Sequence, residues 1–139
     1  MPEQPRPRPL RGIIDTSVVI DLERLNAESL PIEIAISVLT LAELSAGPSA
    51  TTDPAERARR QERLQRTEAT FDPLPFTVDT ARAYGRVFAA TVEVGRKPRG
   101  ARAVNMLIAA TALAEGLALV TRNPEDFDHL SDMIEVVAV

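Results

Sequence analysis

Asp15 closes a short apolar run, Gly12-Ile13-Ile14, and two hydroxyl residues, Thr16 and Ser17, follow it. A carboxylate at the end of a buried strand is destabilising unless something pairs it. The carboxyl edge of a parallel sheet is also where α/β proteins keep their ligand sites. Taken alone, Asp15 serves equally well as a turn residue or a helix cap. Other polar residues fall at comparable places: Glu43 between Ala42 and Leu44, Asn105 ahead of an Ala-rich apolar stretch, and Thr121, Asn123 and Asp126 just past the apolar run Leu117–Val120. Each again has a plain structural reading, as an exposed helix position (Glu43), an N-cap (Asn105), a turn (Asn123-Pro124) or a cap of a final turn (Asp126). Their joint placement is what points to a site. The chain has no cysteine and one histidine, His129, which excludes a thiolate zinc site or cysteine nucleophile and argues against a histidine-rich metal site or a His-based triad. Catalysis here has to lean on carboxylates, and so on hard, oxygen-loving cations such as Mg²⁺ or Mn²⁺.

The elements that position these residues follow from periodicity and punctuation. Gly12–Asp15 reads as a strand, followed by a helix to about Asn26 that Thr16 or Ser17 caps. Pro31 interrupts, and Glu33–Val38 alternates as a strand. Thr40 is expected to cap a short helix, Leu41–Ala46, closed by Gly47-Pro48. Asp53-Pro54 starts a long charged helix to about Thr70, and Phe71–Phe76 is extended, its prolines leaving little room for a central strand. Thr77 opens a second long helix, Val78 to about Val94, whose core face is read as Ala81, Tyr84, Val87, Phe88 and Val92. Met106–Ala114 is an apolar helix stopped by Gly116, Leu117–Thr121 a buried strand, and Ile134–Val139 a last strand. Strands alternating with helices predict an α/β domain with a mainly parallel sheet covered on both faces.

At 139 residues, 45% hydrophobic and 26% charged, the composition is that of one globular domain. Residues 1–11, with four prolines and three arginines, read as an extended, mobile tail, leaving 12–139 as the domain. No apolar run reaches the length of a membrane span and the N-terminus lacks a signal-peptide core, so a cytoplasmic location and no membrane partner are expected. The net charge of −4 does not decide for or against nucleic acid, since local patches do. Arginines 57, 59, 60, 63 and 66 share one helix with Glu56, Glu62 and Glu68 and read as a solvated face. Arg96, Lys97, Arg99 and Arg102 form a less diluted basic loop just before Asn105.

Ile14-Asp15-Thr16-Ser17, Leu41-Ala42-Glu43-Leu44 with Gly47, Asn105-Met106-Leu107-Ile108-Ala109-Ala110-Thr111-Ala112, and Val120-Thr121-Arg122-Asn123 with Asp126-Phe127 together resemble the PIN-domain ribonucleases, and more narrowly the VapC toxins of bacterial toxin–antitoxin pairs. The resemblance runs in order from residue 12 to the C-terminus. It implies a PIN-like three-layer α/β/α sandwich and a metal-dependent endoribonuclease that uses Mg²⁺, or alternatively Mn²⁺, to cut single-stranded RNA. By resemblance Asp15 is the first acid and a metal ligand, Glu43 the second acid, and Asn105 stands in the metal-binding place of a third that is normally aspartate. Asn123 matches a position that is aspartate or asparagine, with Asp126 close enough to substitute. Thr16, Ser17 and Thr121 match hydroxyl residues that bond the acids or the attacking water. The implied partners are RNA, a small VapB-like antitoxin whose C-terminal segment lies across the acidic groove and presents an arginine to the carboxylates, and a second copy of the chain in a homodimer.

Phosphodiester cleavage needs an activated water and charge compensation at the phosphate, which one or two hard cations supply without histidine. The basic loop is placed to hold RNA phosphates, and Arg102, one helical turn from Asn105, is the first residue expected to do so. Asn105 departs from the pattern: an amide oxygen coordinates a cation but brings no charge, so weaker metal binding and reduced or absent cleavage are expected. Whether the amide belongs to the lineage or replaces an aspartate stays open at this point. The competing reading is a PIN fold that binds RNA or antitoxin without cutting. A nucleotide-binding or phosphotransfer domain ranks low, because no glycine-rich phosphate loop is present.

Overall fold

The computed structural model describes residues 8–139. Four strands, β1 (Arg11–Ile14), β2 (Glu33–Ala35), β3 (Ala118–Thr121) and β4 (Val136–Ala138), form one sheet in the order β2-β1-β3-β4. Every pairing is parallel. Five helices accompany them: α1 (Thr16–Asp21), α2 (Val38–Ala46), α3 (Pro54–Thr70), α4 (Val78–Glu93) and α5 (Ala101–Glu115).

Alternation along the central strands builds the layers. Ile13 and Leu119 pack with Ala83 and Val87 of α4 and with Met106, Ile108 and Ala109 of α5. Their neighbours Ile14 and Val120 point the other way, into a cluster with Val18 and Val19 of α1, Ile36, and Leu44 of α2. The result is the expected three-layer α/β/α sandwich. All four residues of β3 are buried, as a strand covered on both faces requires. Gly12 permits the close approach at its centre: a Cβ there would lie 2.8 Å from Pro31 Cγ and 3.1 Å from Val120 Cγ2.

Chain order explains where a site belongs. From β1 the chain turns to one side to make β2, and later returns on the other side of β1 as β3. The carboxyl ends of β1 and β3 therefore flank the topological switch point, the usual crevice of an open α/β sheet. Ile14 pairs with Val120, so the residues one step further, Asp15 and Thr121, come out side by side.

Several local expectations are corrected. Asp15 itself, not Thr16 or Ser17, caps α1, its side chain accepting from the Val18 N–H. That helix ends at Asp21, and a 3₁₀ turn Leu22–Arg24 replaces its expected continuation to Asn26. Ser37 rather than Thr40 caps α2, which starts at Val38, so β2 stops at Ala35. Asn105 is not an N-cap: α5 begins at Ala101 behind Gly100, whose φ of 69° suits glycine. On α4 the buried positions are Thr80, Ala83, Val87 and Thr91, with Tyr84 half-buried. Ala81 is exposed, and so are Phe88 and Val92, at 41% and 49%.

Of the segment read as a tail, residues 1–7 lie outside the described residues. Arg8 donates to the carbonyls of Ala27 and Leu30, and Arg11 opens β1 with an ion pair to Glu33 at 3.1 Å. No helix among the described residues is long and apolar enough to cross a membrane.

Candidate active site

Asp15 is 4% exposed and is oriented by three donors. Its Oδ1 accepts from Ser17 Oγ at 2.5 Å and from the Val18 N–H at 3.2 Å, and its Oδ2 accepts from Thr121 Oγ1 at 2.6 Å. Each hydroxyl is aimed by a backbone amide of the turn after β3. Arg122 N–H donates to Ser17 Oγ at 3.1 Å, and Asn123 N–H donates to Thr121 Oγ1 at 3.0 Å. With an N–H occupying a lone pair of each hydroxyl oxygen, each hydroxyl proton is left to point at the carboxylate. Two consecutive amides thus orient both carboxylate oxygens through two hydroxyls. A carboxylate accepts about four hydrogen bonds; three are used, and the spare position is on Oδ2.

Glu43 sits on α2, exposed, and Thr16 Oγ1 donates to its Oε1 at 2.5 Å. Thr16 Oγ1 also lies 3.1 Å from Thr40 Oγ1, and Thr40 is fully buried. Adjacent residues at the start of α1 thus serve different acids, Thr16 orienting Glu43 and Ser17 orienting Asp15. Thr40, expected only as a cap, is a supporting residue the sequence did not reveal. From Glu43 an open groove of about 310 Å³ is lined by Thr16, Ile20, Leu44, Gly47, Glu56, Arg60 and Arg63. Arg60 donates to the Gly47 carbonyl at 2.9 Å and to Glu56. Glu56 receives hydrogen bonds and positive charge from Arg59 and Arg60, which hold its carboxyl below the ordinary range. Arg60 and Arg63, read as part of a solvated face, instead border this groove.

The remaining residues are placed less tightly. Asn105 lies one turn into α5, half-buried. Asn123 and Asp126 are exposed on the turn that follows β3; the Asp126 N–H bonds the Asn123 carbonyl at 3.0 Å. Arg102 is in the first turn of α5 and donates to the Lys97 carbonyl at 3.1 Å. Arg122, not anticipated, is steered towards Asp21 of α1, with Nε 3.6 Å from Oδ2. Hydrogen bonding therefore unites Asp15, Ser17, Thr121 and the 122–123 backbone in one network, and Thr16, Thr40 and Glu43 in a second. It does not join the side chains of Asn105, Asp126 or Arg102 to either; Asp126 is tied to the first only through its backbone N–H on the Asn123 carbonyl. Among the described residues no three acids or histidines are grouped to hold a metal.

The family profile described as PIN domain matches residues 13–132. The chain is 34% identical over 137 residues to Ribonuclease VapC5 of Mycobacterium tuberculosis, covering 94% of this chain and 97% of that one. It belongs to the PIN-domain family and, within it, to the VapC ribonucleases. Ribonuclease VapC1 of Rickettsia felis is 29% identical over 135 residues, with 91% and 95% coverage. Among solved structures, VapBC-5 of M. tuberculosis, a member of the VapBC family of toxin–antitoxin systems, superposes with a TM-score of 0.82 at 33% identity, covering 94% of this chain and all of that one. The match places the Asp15 network, Glu43, Asn105 and the turn after β3 inside the PIN region. VapC-family ribonucleases generally act with divalent metal ions.

Proposed function

We propose that this chain is the toxin of a VapBC-type pair, an endoribonuclease whose cleavage is weakened by Asn105. The carrying observation is the Asp15 carboxylate, buried at the switch point, held by three donors, and left with one spare acceptor position on Oδ2. A capping role alone explains the Val18 contact; it does not explain two dedicated hydroxyls with an amide behind each.

The donor set fits a hydrated hard cation. Mg²⁺ keeps several waters and takes one or two carboxylates rather than a full protein cage, which is consistent with no three-acid cluster among the described residues. Asp15 Oδ2 and the amide oxygen of Asn105 would hold it, Mg²⁺ being preferred and Mn²⁺ the alternative. Bound there, such a cation supplies a water that is nucleophilic at neutral pH and compensates phosphate charge. Ser17 and Thr121 fix the Asp15 carboxylate. Glu43, anchored at Oε1 by Thr16, presents Oε2 to accept a hydrogen bond from the attacking water. Asn123 and Asp126, exposed on the same turn as the two amide donors, are the remaining polar contacts for water or RNA. Arg102 supplies phosphate contact. A cation in the first turn of a helix opposes the macrodipole, so helix stability does not explain it there.

The partner reading rests on the same surface. An antitoxin segment that presents an arginine suits the groove beyond Glu43, which is lined by the carboxylates Glu43 and Glu56 and by Ile20, Arg60 and Arg63. A homodimer through the outer face of α4 is supported by exposed Val78, Phe88 and Val92 and by the open space around Gly85. Phe88→Glu is expected to convert dimer to monomer in sedimentation, and a parent that sediments as a monomer at all concentrations overturns this part.

The test of the activity is cleavage of a mixed RNA panel by the parent and by Asn105→Asp, with Mg²⁺, Mn²⁺ or EDTA. The aspartate form is expected to cut faster by more than about ten-fold, because even residues behind a metal ligand are worth that much, and EDTA is expected to abolish cutting. No metal-dependent cutting by either form would overturn the nuclease reading. It would favour the second one, a PIN fold that binds RNA or antitoxin without cleaving, to which the neutral Asn105 already lends weight.

A further inference from the structure

Away from the carboxylates, the chain's single histidine is built into the root of the basic loop. His129 lies in the 3₁₀ turn Asp128–Leu130. Its Nε2 is 3.0 Å from Thr91 Oγ1 on α4. Thr91 spends its own proton on the Val87 carbonyl at 2.9 Å, so Nε2 must carry the hydrogen and donate. In the neutral ring Nδ1 is then a bare acceptor, and it takes a hydrogen bond from Arg96 Nη1 at 3.0 Å. The other Nη1 proton goes to the Glu125 carbonyl at 3.1 Å, and Nη2 donates to Asp128 Oδ1 at 3.2 Å. Arg96 is thereby pinned on three sides, three residues past the end of α4, between Gly95 with φ 78° and Gly100 with φ 69°.

We infer that His129 is a pH-sensitive latch: its neutral, Nε2-protonated form fastens Arg96 and the basic loop to the body of the protein, and protonation at Nδ1 releases them. An Nδ1–H⁺ would face a guanidinium N–H at hydrogen-bond distance, donor against donor and charge against charge, so closed latch and protonated ring exclude each other. The charged groups around the ring agree. Burial of the ring and the positive charges of Arg96, from the loop, and Arg102, from α5, push its pKa below the ordinary 6.5, and Asp128 on its own turn only partly opposes them. Thr91 is the group facing it from α4 and carries no charge. With the folded pKa depressed, the latch's contribution to stability is complete above about pH 6.5 and is lost progressively as pH falls from there towards the folded pKa. On the nuclease reading, release would add Arg96 to the Lys97, Arg99 and Arg102 group available to phosphate. The latch itself does not depend on that reading.

The single histidine makes the test direct. Long-range ¹H–¹⁵N spectra of the imidazole, followed against pH, should show the Nε2–H tautomer at neutral pH and a midpoint below 6.5. Corrected for the intrinsic base-catalysed rate, the protection of the amides over residues 95–100 should fall about ten-fold or more as pH drops through the same midpoint, while α5 beyond Met106 stays protected. Arg96→Ala should move the midpoint up, and Arg96→Lys should recover part of the depression. His129→Gln, which cannot titrate, should abolish the pH dependence of loop protection. An Nδ1–H tautomer, a midpoint at or above 6.5, or loop protection that ignores the titration would each overturn the inference. All of these are read without RNA, so failure of the latch is distinguishable from failure of the nuclease assignment.

Discussion

Replacing Thr121 by valine tests whether the hydroxyl network, rather than mere packing, organises the site. The two side chains have nearly the same shape, and Thr121 is fully buried at 0% exposure, so the substitution removes hydrogen bonding with little change in volume. Two bonds go: the 2.6 Å donation to Asp15 Oδ2 and the 3.0 Å acceptance from the Asn123 N–H. A hydrogen bond to a charged partner is worth about 1.5–3 kcal/mol. The Asn123 amide lies at the surface edge of the turn, where water replaces its partner, and adds less than about 1 kcal/mol. The expected loss is about 2–4 kcal/mol, or a fall in Tm on the order of 10 °C for a domain of this size. Thr121→Ser keeps the hydroxyl and should lose only about 1 kcal/mol for the missing methyl group. Urea denaturation with EDTA present, at one ionic strength, measures both. A cycle with Asp15→Asn should return a coupling of about 1 kcal/mol or more between the two positions. If the valine and serine forms unfold together, or the coupling is zero, the network is not what holds Asp15.

Two shorter expectations test other links. Gly12→Ala puts a Cβ 2.8 Å from Pro31 Cγ and 3.1 Å from Val120 Cγ2, so overpacking should destabilise by about 1–3 kcal/mol; an unchanged denaturation midpoint would show that Pro31 yields freely. Arg102→Ala should weaken single-stranded RNA binding and reduce the slope of log affinity against log salt by about 0.7, with unchanged binding ruling Arg102 out as a phosphate contact.

What could be read from the sequence divides along physical lines. The sheet was legible because β1 and β3 are unbroken apolar runs ending in polar residues, and α3 and α4 because Asp53-Pro54 and Thr77 are strong local start signals. Cap assignments failed wherever two candidates stood close together. Asp15 displaced Thr16 and Ser17 because those hydroxyls are used by the acids, and Ser37 displaced Thr40 because Thr40 is turned inward against Thr16. The start of α5 was missed because its first turn is basic and its cap is a glycine, with none of the usual side-chain signal. The outer face of α4 was misread for a different reason. Period alone cannot tell an apolar stripe facing the core from one facing out, and α4 carries both, with threonines filling two of its buried positions. Asp15 was visible as an acid at a strand end and Glu43 as an acid on a short apolar helix; the amide relay behind Asp15 was not, since backbone donors leave no mark in a sequence.

That relay bears on what Asn105 means. Asp15 is oriented by Ser17, Val18 and Thr121, and Glu43 by Thr16, so both acids are held by residues of β3, its following turn, α1 and their own helix. None of these bonds involves α5. An amide at 105 therefore leaves the rest of the site assembled, and aspartate at the same place needs no rearrangement elsewhere to add its charge. A site decaying after loss of function would have no reason to keep two hydroxyls on one buried carboxylate, each with its amide donor. On the proposed reading, the departure at Asn105 is a change in charge at one position beside an otherwise intact framework, and charge is what the aspartate substitution and the metal titration measure.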